Sequence, residues 1–294
     1  MKIEKQDLKV HGALLFVGLI YGANYSIAKS AMPDLIGPFG FILVRVSCAT
    51  LIFWILDAVT GPEKIKYRSD FGRLFLCAIF GVALNQIMFF KGLSMTSTIS
   101  ASVIMTINPI IVLVASFLIL SEKITKMKLI GVLLGSGGAI MLILRNDISW
   151  DEGSFLGDLF ILINATSYGL YLILIKPLMN RYKALTIIKW IFLFGLIFVI
   201  PVGLGDFLKV EWANMPVEGW MSIGYVVFFT TVLAYLLNVW ALKYVSPTVV
   251  SYYIYLQPVF ASLVAIFFLN EMPDSKMILS TSIIFFGVFL VSKK

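Results

Sequence analysis

Hydroxyl side chains and one proline recur at helical spacing inside two strongly apolar stretches of the chain. Their separations of four and three residues place each set on one face of a helix. The sets are Ser102, Thr106 and Pro109 in the first stretch and Ser251, Tyr255 and Pro258 in the second. Because hydroxyl groups on one face of an apolar helix can hydrogen-bond a small polar solute, the pattern indicates a binding surface rather than a reaction centre.

Pro109 and Pro258 are the mechanical feature of these stretches. A proline inside a helix removes one backbone hydrogen bond and clashes with the carbonyl four residues earlier. The freed carbonyls near Met105 and Ile254 should therefore face either a polar partner or a cavity. We predict a hinge or gate at both prolines. The alternative is that the two kinks only shape helix packing.

The two stretches belong to an internal repeat. A shift of 149 residues maps Leu93–Ile143 onto Leu242–Ser292 without a gap. A proline, an acid and a glycine are matched by this shift, namely Pro109 with Pro258, Glu122 with Glu271, and Gly138 with Gly287. At an offset of 147 the repeat reaches the start of both halves and pairs Tyr21 with Tyr168 and Lys29 with Lys176.

The composition is that of an integral membrane protein. Hydrophobic residues make up 60% of the 294 residues, charged residues only 13%, and the mean hydropathy is +0.97. A soluble domain carries about 25% charged residues, whereas a spanning helix needs roughly 20 apolar ones. We therefore predict an all-α integral membrane protein with ten transmembrane helices, near residues 10–31, 38–57, 72–94, 98–120, 127–145, 156–178, 184–203, 218–243, 248–269 and 276–292.

The repeat divides these spans into two halves of five, residues 1–147 and 154–294. Because five is an odd number, the halves should enter the membrane from opposite sides. Two inverted five-helix repeats are typical of transporters that use alternating access around a site at the membrane midplane.

The basic residues predict the orientation. If the N-terminus is cytoplasmic, 17 of the 23 Lys and Arg residues fall on the cytoplasmic side, five fall on the outer side, and Arg45 lies within a helix. The net charge of +7 is thus a topology signal, and we expect no nucleic-acid partner. We predict a multi-pass protein of a bacterial cytoplasmic (inner) membrane, with both termini cytoplasmic and membrane lipids around a monomer or homodimer.

Residues for metal binding or catalysis are sparse. The two cysteines, Cys48 and Cys77, fall in apolar segments and are expected to be buried thiols. His11 has no ligand cluster around it in sequence, so we expect no metal and no cofactor. The chain contains neither a His-Glu-x-x-His motif nor paired intramembrane aspartates, so an enzyme is not expected.

The helix carrying Pro109, the following Glu122 and the next, glycine-bearing helix resemble the EamA family of the drug/metabolite transporter superfamily. The Tyr21-Gly22 pair and the run Ala234–Leu242 carry the same resemblance. It implies ten helices in two inverted halves and a central cavity lined by helices 1, 3, 4, 6, 8 and 9. It also implies export of amino acids and related metabolites, some of them aromatic. Glu271 departs from the pattern, because Met272-Pro273 follows it directly.

Carried onto this chain, the resemblance gives twelve cavity candidates: Asn24, Asn85, Gln86, Ser102, Thr106, Tyr168, Tyr171, Tyr235, Asn238, Ser251, Tyr252 and Tyr255. Each could instead bond a neighbouring helix, as polar residues in membrane helices often do. Arg45, charged and intramembrane, is either functional or held in a structural pair.

The candidate set favours some small-molecule substrates over others. It is rich in tyrosines and amides and has no acid, so a neutral, zwitterionic or aromatic solute fits better than a phosphorylated one, which calls for convergent basic residues. The missing midplane acid favours facilitated transport over proton coupling. The alternatives are a carrier of nucleotide sugars, other metabolites or drugs, a passive channel, and a membrane receptor or scaffold that transports nothing.

Overall fold

The structure, a computed structural model, describes residues 2–96, 98–143, 155–260 and 275–292. Every regular element in these ranges is helical. We name the helices α1 (Lys2–Ala31), α2 (Pro38–Thr60), α3 (Arg68–Met95), α4 (Thr98–Met105 and Asn108–Leu120), α5 (Lys126–Ile143), α6 (Phe155–Asn180), α7 (Ala184–Leu208), α8 (Val217–Ala241), α9 (Pro247–Tyr252, Tyr253–Leu256 and residues 257–260) and α10 (Ser275–Ser292). Glu271 lies outside the described residues.

Seven of these helices, α1 to α4 and α6 to α8, are long and apolar enough to cross a membrane. Ile278–Val291 in α10 is a shorter apolar helix. Large apolar side chains point outward from the bundle, with exposed fractions of 80% for Val59 and 70% for Leu118. An apolar outer surface of this kind is stable in lipid and not in water, so the chain is a multi-pass membrane protein.

The structure differs from the sequence prediction in the start of two helices and in the burial of one cysteine. Helix α1 begins at Lys2 and α3 at Arg68, because polar first turns can continue a helix beyond its apolar part. Helix α4 is interrupted after Met105, four residues before Pro109, where the sequence predicts a kink. The expectation of two buried thiols was wrong for Cys48, which is exposed on the outer face of α2, whereas Cys77 is buried.

Helices α2 and α7 pack against each other in opposite directions over their whole length. At one end, a carboxylate oxygen of Asp206 accepts the backbone N–H of Phe39 at 3.1 Å. At the other end, Asp57 forms an ion pair with Lys189, and each residue is only 4% exposed. An acid near the end of each helix therefore meets the beginning of its partner.

Helices α5 and α10 form a second antiparallel pair, held close by glycines. A Cβ atom added to Gly131 would lie 2.9 Å from the carbonyl oxygen of Gly287. One added to Gly138 would lie 3.0 Å from the side chain of Ile284. A side chain at Gly131 would clash with backbone and one at Gly138 would be crowded, as expected for small residues at a membrane helix interface.

Two further antiparallel pairs surround the centre of the bundle. Helix α3 packs on α6, where a Cβ at Gly157 would lie 3.1 Å from the Gly92 carbonyl oxygen. Helix α1 packs on α8, where the Tyr225 hydroxyl donates to the Ile20 carbonyl at 2.8 Å. Helix α4 contacts both α6 and α9. The helices of both halves thus enclose one central space.

The buried Asp57–Lys189 pair predicts a stability effect. Asp57→Asn leaves the Lys189 ammonium buried without its counter-charge, which costs about 3–5 kcal/mol. We expect a lower thermal unfolding midpoint in detergent, and recovery of most of the loss in Asp57→Asn/Lys189→Met. The control is Asp34→Asn, at an exposed acid. Equal midpoints for the Asp57 and Asp34 variants would show that the ion pair does not stabilise the fold.

Candidate functional site

Four helices around the centre depart from α-helical geometry. Helix α3 contains a π-helical segment, Ile79–Ala83, and α8 contains another, Val226–Leu233. Helix α4 breaks at residues 106–107, and α9 tightens to a 3-10 turn at Tyr253–Leu256. The two π segments begin 147 residues apart, and the distorted turns of α4 and α9 correspond at an offset of 149. Such irregularities often occur at functional sites in membrane helices.

The prolines account for the distortions in α4 and α9. Pro109 lies two residues after the break in α4, and Pro258 likewise lies two residues after the 3-10 turn in α9. Each proline disrupts the turn before it, where the backbone has lost a hydrogen bond. Met105 and Ile254, four residues before the two prolines, both line the central cavity.

The cavity lies between α1, α2, α3, α4, α6, α8 and α9. Its empty volume is about 580 Å³, including space that is open to solvent. Amides, tyrosines and other aromatic rings dominate its wall, and Arg45 is the one charged residue among the described lining residues. The lining residues are Tyr21, Asn24, Tyr25, Arg45, Asn85, Gln86, Phe89, Phe90, Met105, Asn164, Tyr168, Thr230, Tyr235, Ile254 and Gln257.

Five of the twelve predicted site residues are in this wall: Asn24, Asn85, Gln86, Tyr168 and Tyr235. Asn238 lies directly behind it, because its amide nitrogen donates to the hydroxyls of Tyr21 and Tyr168, each at 3.3 Å. Those two tyrosines are the pair that the sequence repeat matches. Tyr171 is also behind the wall, buried against Gly81 of α3 with its ring 6.0 Å from that of Tyr168.

The remaining predicted residues lie away from the cavity in this structure. The Thr106 hydroxyl donates to the Val103 carbonyl, and the Ser251 hydroxyl donates to the Thr248 carbonyl, so both bond within their own helices. Ser102 is half-buried on α4.

Tyr252 and Tyr255 lie on the other side of α9 from the cavity. They form an edge-to-face pair with ring centroids 4.8 Å apart. The Tyr252 hydroxyl sits over Gly135 and Gly287, so these rings fill the space that the glycines of α5 and α10 leave open. Helical spacing predicted Tyr255 on a polar face and the family resemblance suggested Tyr252 for the cavity, but both rings pack against glycines of α5 and α10 instead.

Hydrogen bonds hold the amides of the wall in place. The Gln86 amide nitrogen donates to the Tyr235 hydroxyl at 3.1 Å, and that hydroxyl donates to the Gly81 carbonyl at 2.7 Å. Gly81 lies within the π segment of α3, so the distorted helix supplies an acceptor. Asn85 and Asn164 each donate from the side-chain amide to the other's backbone carbonyl, at 3.4 Å and 2.8 Å.

Further bonds connect α1 to α8 and α9 across the cavity. The Tyr25 hydroxyl donates to the Gln257 side-chain oxygen at 3.2 Å. The Thr230 hydroxyl donates to the Asn24 side-chain oxygen, also at 3.2 Å. These contacts join the two halves of the chain through polar side chains that a small solute could displace.

Arg45 projects into the cavity from α2. It is 4% exposed, its Nε donates to the Thr231 hydroxyl at 2.9 Å, and its guanidinium carbon lies 4.9 Å from the centroid of the Phe90 ring. Because no Asp or Glu occurs among the described lining residues, this guanidinium dominates the electrostatics of the cavity.

A lysine at each end of the bundle bonds the end of a neighbouring helix. Lys29, near the end of α1, donates to the Thr96 carbonyl just after α3, at 2.8 Å. Lys176, in the last part of α6, donates to the carbonyls of Leu242 and Val245 just after α8. These are matched positions of the repeat, and each lysine stabilises carbonyls that a helix end leaves without partners.

Several lining residues were absent from the prediction. Tyr21, Asn164 and Gln257 carry a signal that could have found them, because each is a polar residue within an apolar helix. Phe89 and Phe90 carry none, since an aromatic residue on an apolar helix is equally suited to face lipid. Only the packing of helices decides which of these rings reaches the centre.

The part of the chain that the structure describes contains no metal-binding site in addition to the cavity. No group of three or more His, Cys, Asp or Glu side chains there could hold a metal ion. Glu122 forms an ion pair with Lys128 at 3.3 Å, at the loop between α4 and α5. The acid that the repeat matches thus ties this loop to the first turn of α5.

The model of the EamA-like transporter family matches residues 9–144 and again residues 155–293. The chain belongs to the EamA-like transporter family. Two copies of one family unit therefore follow each other in this EamA protein, and together they contribute every described residue of the cavity wall.

Two curated relatives and one solved structure are similar to this chain. "Uncharacterized transporter YyaM" of Bacillus subtilis is 24% identical over 88% of this chain and 86% of its own. "Probable terminal-alkyne amino-acid exporter" of Streptantibioticus cattleyicolor is 22% identical over 88% and 85%. A crystal structure superposes with a TM-score of 0.76 over 96% of both chains at 13% identity, which shows the shared fold alone.

The cavity boundary predicts a difference in cysteine labelling. Thr230 and Thr248 are both buried, but only Thr230 belongs to the described wall. With Cys48 and Cys77 replaced by alanine, Thr230→Cys should react readily with a small water-soluble maleimide, because the reagent follows water into the cavity. Thr248→Cys should stay unlabelled over the same time. Equal labelling rates at the two positions would contradict this boundary of the cavity.

Proposed function

We propose that this EamA-family transporter exports small metabolites such as amino acids, with aromatic amino acids as the first candidates, by alternating access. The observation that carries the proposal is the central cavity, whose amides, tyrosines and aromatic rings come from both halves of the chain. The name of the Streptantibioticus relative points to the same class of substrate. The site residues proposed are the five predicted ones in the wall, supported by Asn238.

We further propose ten membrane spans in two inverted five-helix repeats, residues 1–147 and 154–294, in a cytoplasmic membrane with both termini cytoplasmic. The contacts between helices support the inversion. Helix α2 pairs with α7 and α5 with α10, so equivalent helices are antiparallel partners. The contact of α3 with α6 is likewise mirrored by that of α8 with α1.

In this mechanism the two ends of the cavity open in turn, with bending at Pro109 and Pro258. The distorted turns beside both prolines support bending there, because they lack a full set of helical hydrogen bonds. The lysine contacts at opposite ends, Lys29 to Thr96 and Lys176 to Val245, would close and open in alternation.

A carrier of nucleotide sugars is the second candidate within the same superfamily. The wall disfavours it, since a diphosphate calls for several convergent basic groups and Arg45 is the one cation among the described lining residues. A receptor or scaffold that transports nothing has no need of a polar cavity at the centre of an apolar bundle.

Counterflow in proteoliposomes tests the proposal. Vesicles loaded with one unlabelled amino acid, aromatic ones first, should take up the labelled form at an accelerated and saturable rate. A passive channel would give neither saturation nor acceleration. If folded protein in the vesicles exchanges no amino acid, the proposal is overturned. Uptake measured under a pH gradient would distinguish proton coupling from facilitated exchange.

The hinge is tested by Pro258→Ala. Alanine restores the backbone donor and straightens the turn, so we expect slower exchange with an unchanged or raised unfolding temperature. Pro201 provides the matched control, since it lies inside α7 and outside the described cavity wall. Pro201→Ala should exchange at the normal rate. Normal exchange by Pro258→Ala would exclude the hinge.

A further inference from the structure

Arg45 uses only part of its hydrogen-bonding capacity. Its Nε donates to Thr231, but no described acceptor is bonded to either terminal NH₂ group, and no described acid forms an ion pair with it. A guanidinium carries five N–H donors in a planar fork that matches a carboxylate. An intramembrane charge of this kind is costly to keep and typically marks a binding site.

Two oxygen atoms in the same wall have no hydrogen-bond partner among the described residues, Gln86 Oε1 and Asn164 Oδ1. The amide nitrogens of both residues are engaged, by the Tyr235 hydroxyl and by the Asn85 carbonyl. The amides are therefore held with their nitrogens bonded and their oxygens buried without a described donor. Leaving a buried acceptor unpaired is unfavourable, so these oxygens suit N–H donors of a bound solute.

We propose that Arg45 is the anchor for one carboxylate of the transported solute, and that Gln86 and Asn164 accept hydrogen bonds from its amino group. The inference rests on the proposed transport function and narrows its substrates to zwitterions with a single carboxylate. A single guanidinium balances one negative charge, so a phosphate monoester would leave excess charge in the cavity. The half-buried ring of Phe89 gives an aromatic side chain an apolar surface, with the buried Phe90 ring beside it.

The test compares solutes that share one ring and differ in charge. In wild-type vesicles, L-phenylalanine should compete for exchange about 10- to 100-fold better than L-phenylalaninamide, because the amide lacks the charge that strengthens a hydrogen bond to Arg45. Arg45→Gln should abolish this preference, and Arg45→Lys should keep part of it, since lysine retains the charge without the fork.

Two further variants test the contact with the amino group and provide a control for the loss of a guanidinium. Gln86→Met should reduce the preference for L-phenylalanine over 3-phenylpropionate, which has the carboxylate but no amino group. Arg68→Gln removes an exposed guanidinium at the start of α3 and should leave every preference unchanged. A purely structural role for Arg45 would instead lower exchange of all solutes by the same factor.

The outcomes distinguish the two proposals. Exchange of phenylalanine without discrimination against its amide would overturn the anchor and leave the transport function intact. If no amino acid is exchanged, thermal unfolding in detergent decides: 3-phenylpropionate should stabilise the wild type and not Arg45→Gln. Equal effects on both proteins, or none on either, would overturn the anchor. Should Arg45→Gln not fold, the wild-type comparison of acid with amide decides alone.

Discussion

A backbone carbonyl that loses its helical partner inside a membrane has to meet another donor or a polar space, and the centre of this protein follows from that requirement. Pro109 and Pro258 create the deficit in α4 and α9, and Met105 and Ile254 of the disturbed turns line the cavity. The π segment of α8 contributes Thr230 to the same wall, and the π segment of α3 accepts the hydrogen bond of Tyr235 at Gly81. Irregular backbone and the cavity therefore occur together, because the polar cavity accommodates carbonyls that have lost their helical hydrogen bonds.

The surrounding helices can hold this irregular centre because their own contacts are regular and repeated. Glycines bring α5 and α10 together, and the Asp57–Lys189 ion pair ties one end of α2 to α7. At opposite ends of the bundle, Lys29 and Lys176 bond the carbonyls that follow α3 and α8. Because equivalent contacts close the two ends of the cavity, opening either end should cost a similar free energy. The proposed alternating-access mechanism requires such a balance.

The chemistry of the cavity follows from which polar groups the protein satisfies internally. The Asn238 amide donates to the hydroxyls of Tyr21 and Tyr168. The Tyr235 hydroxyl accepts from Gln86 and donates to the Gly81 carbonyl. These hydrogen bonds fix the side chains in position. What remains is a guanidinium fork and two amide oxygens in an aromatic surrounding. Such a combination favours a small solute that carries one negative charge, N–H donors and an apolar group.

The sequence by itself determined the membrane class, the internal repeat and the disruption of two helices at Pro109 and Pro258. Hydropathy, proline chemistry and spacing along a helix are local properties. It also indicated part of the wall, including Asn85, Gln86 and Tyr235. Only the tertiary structure decided that Tyr252 and Tyr255 pack against glycines and that phenylalanines of α3 reach the cavity. Helical periodicity defines which side chains share a face, but the neighbour of that face depends on how distant helices pack.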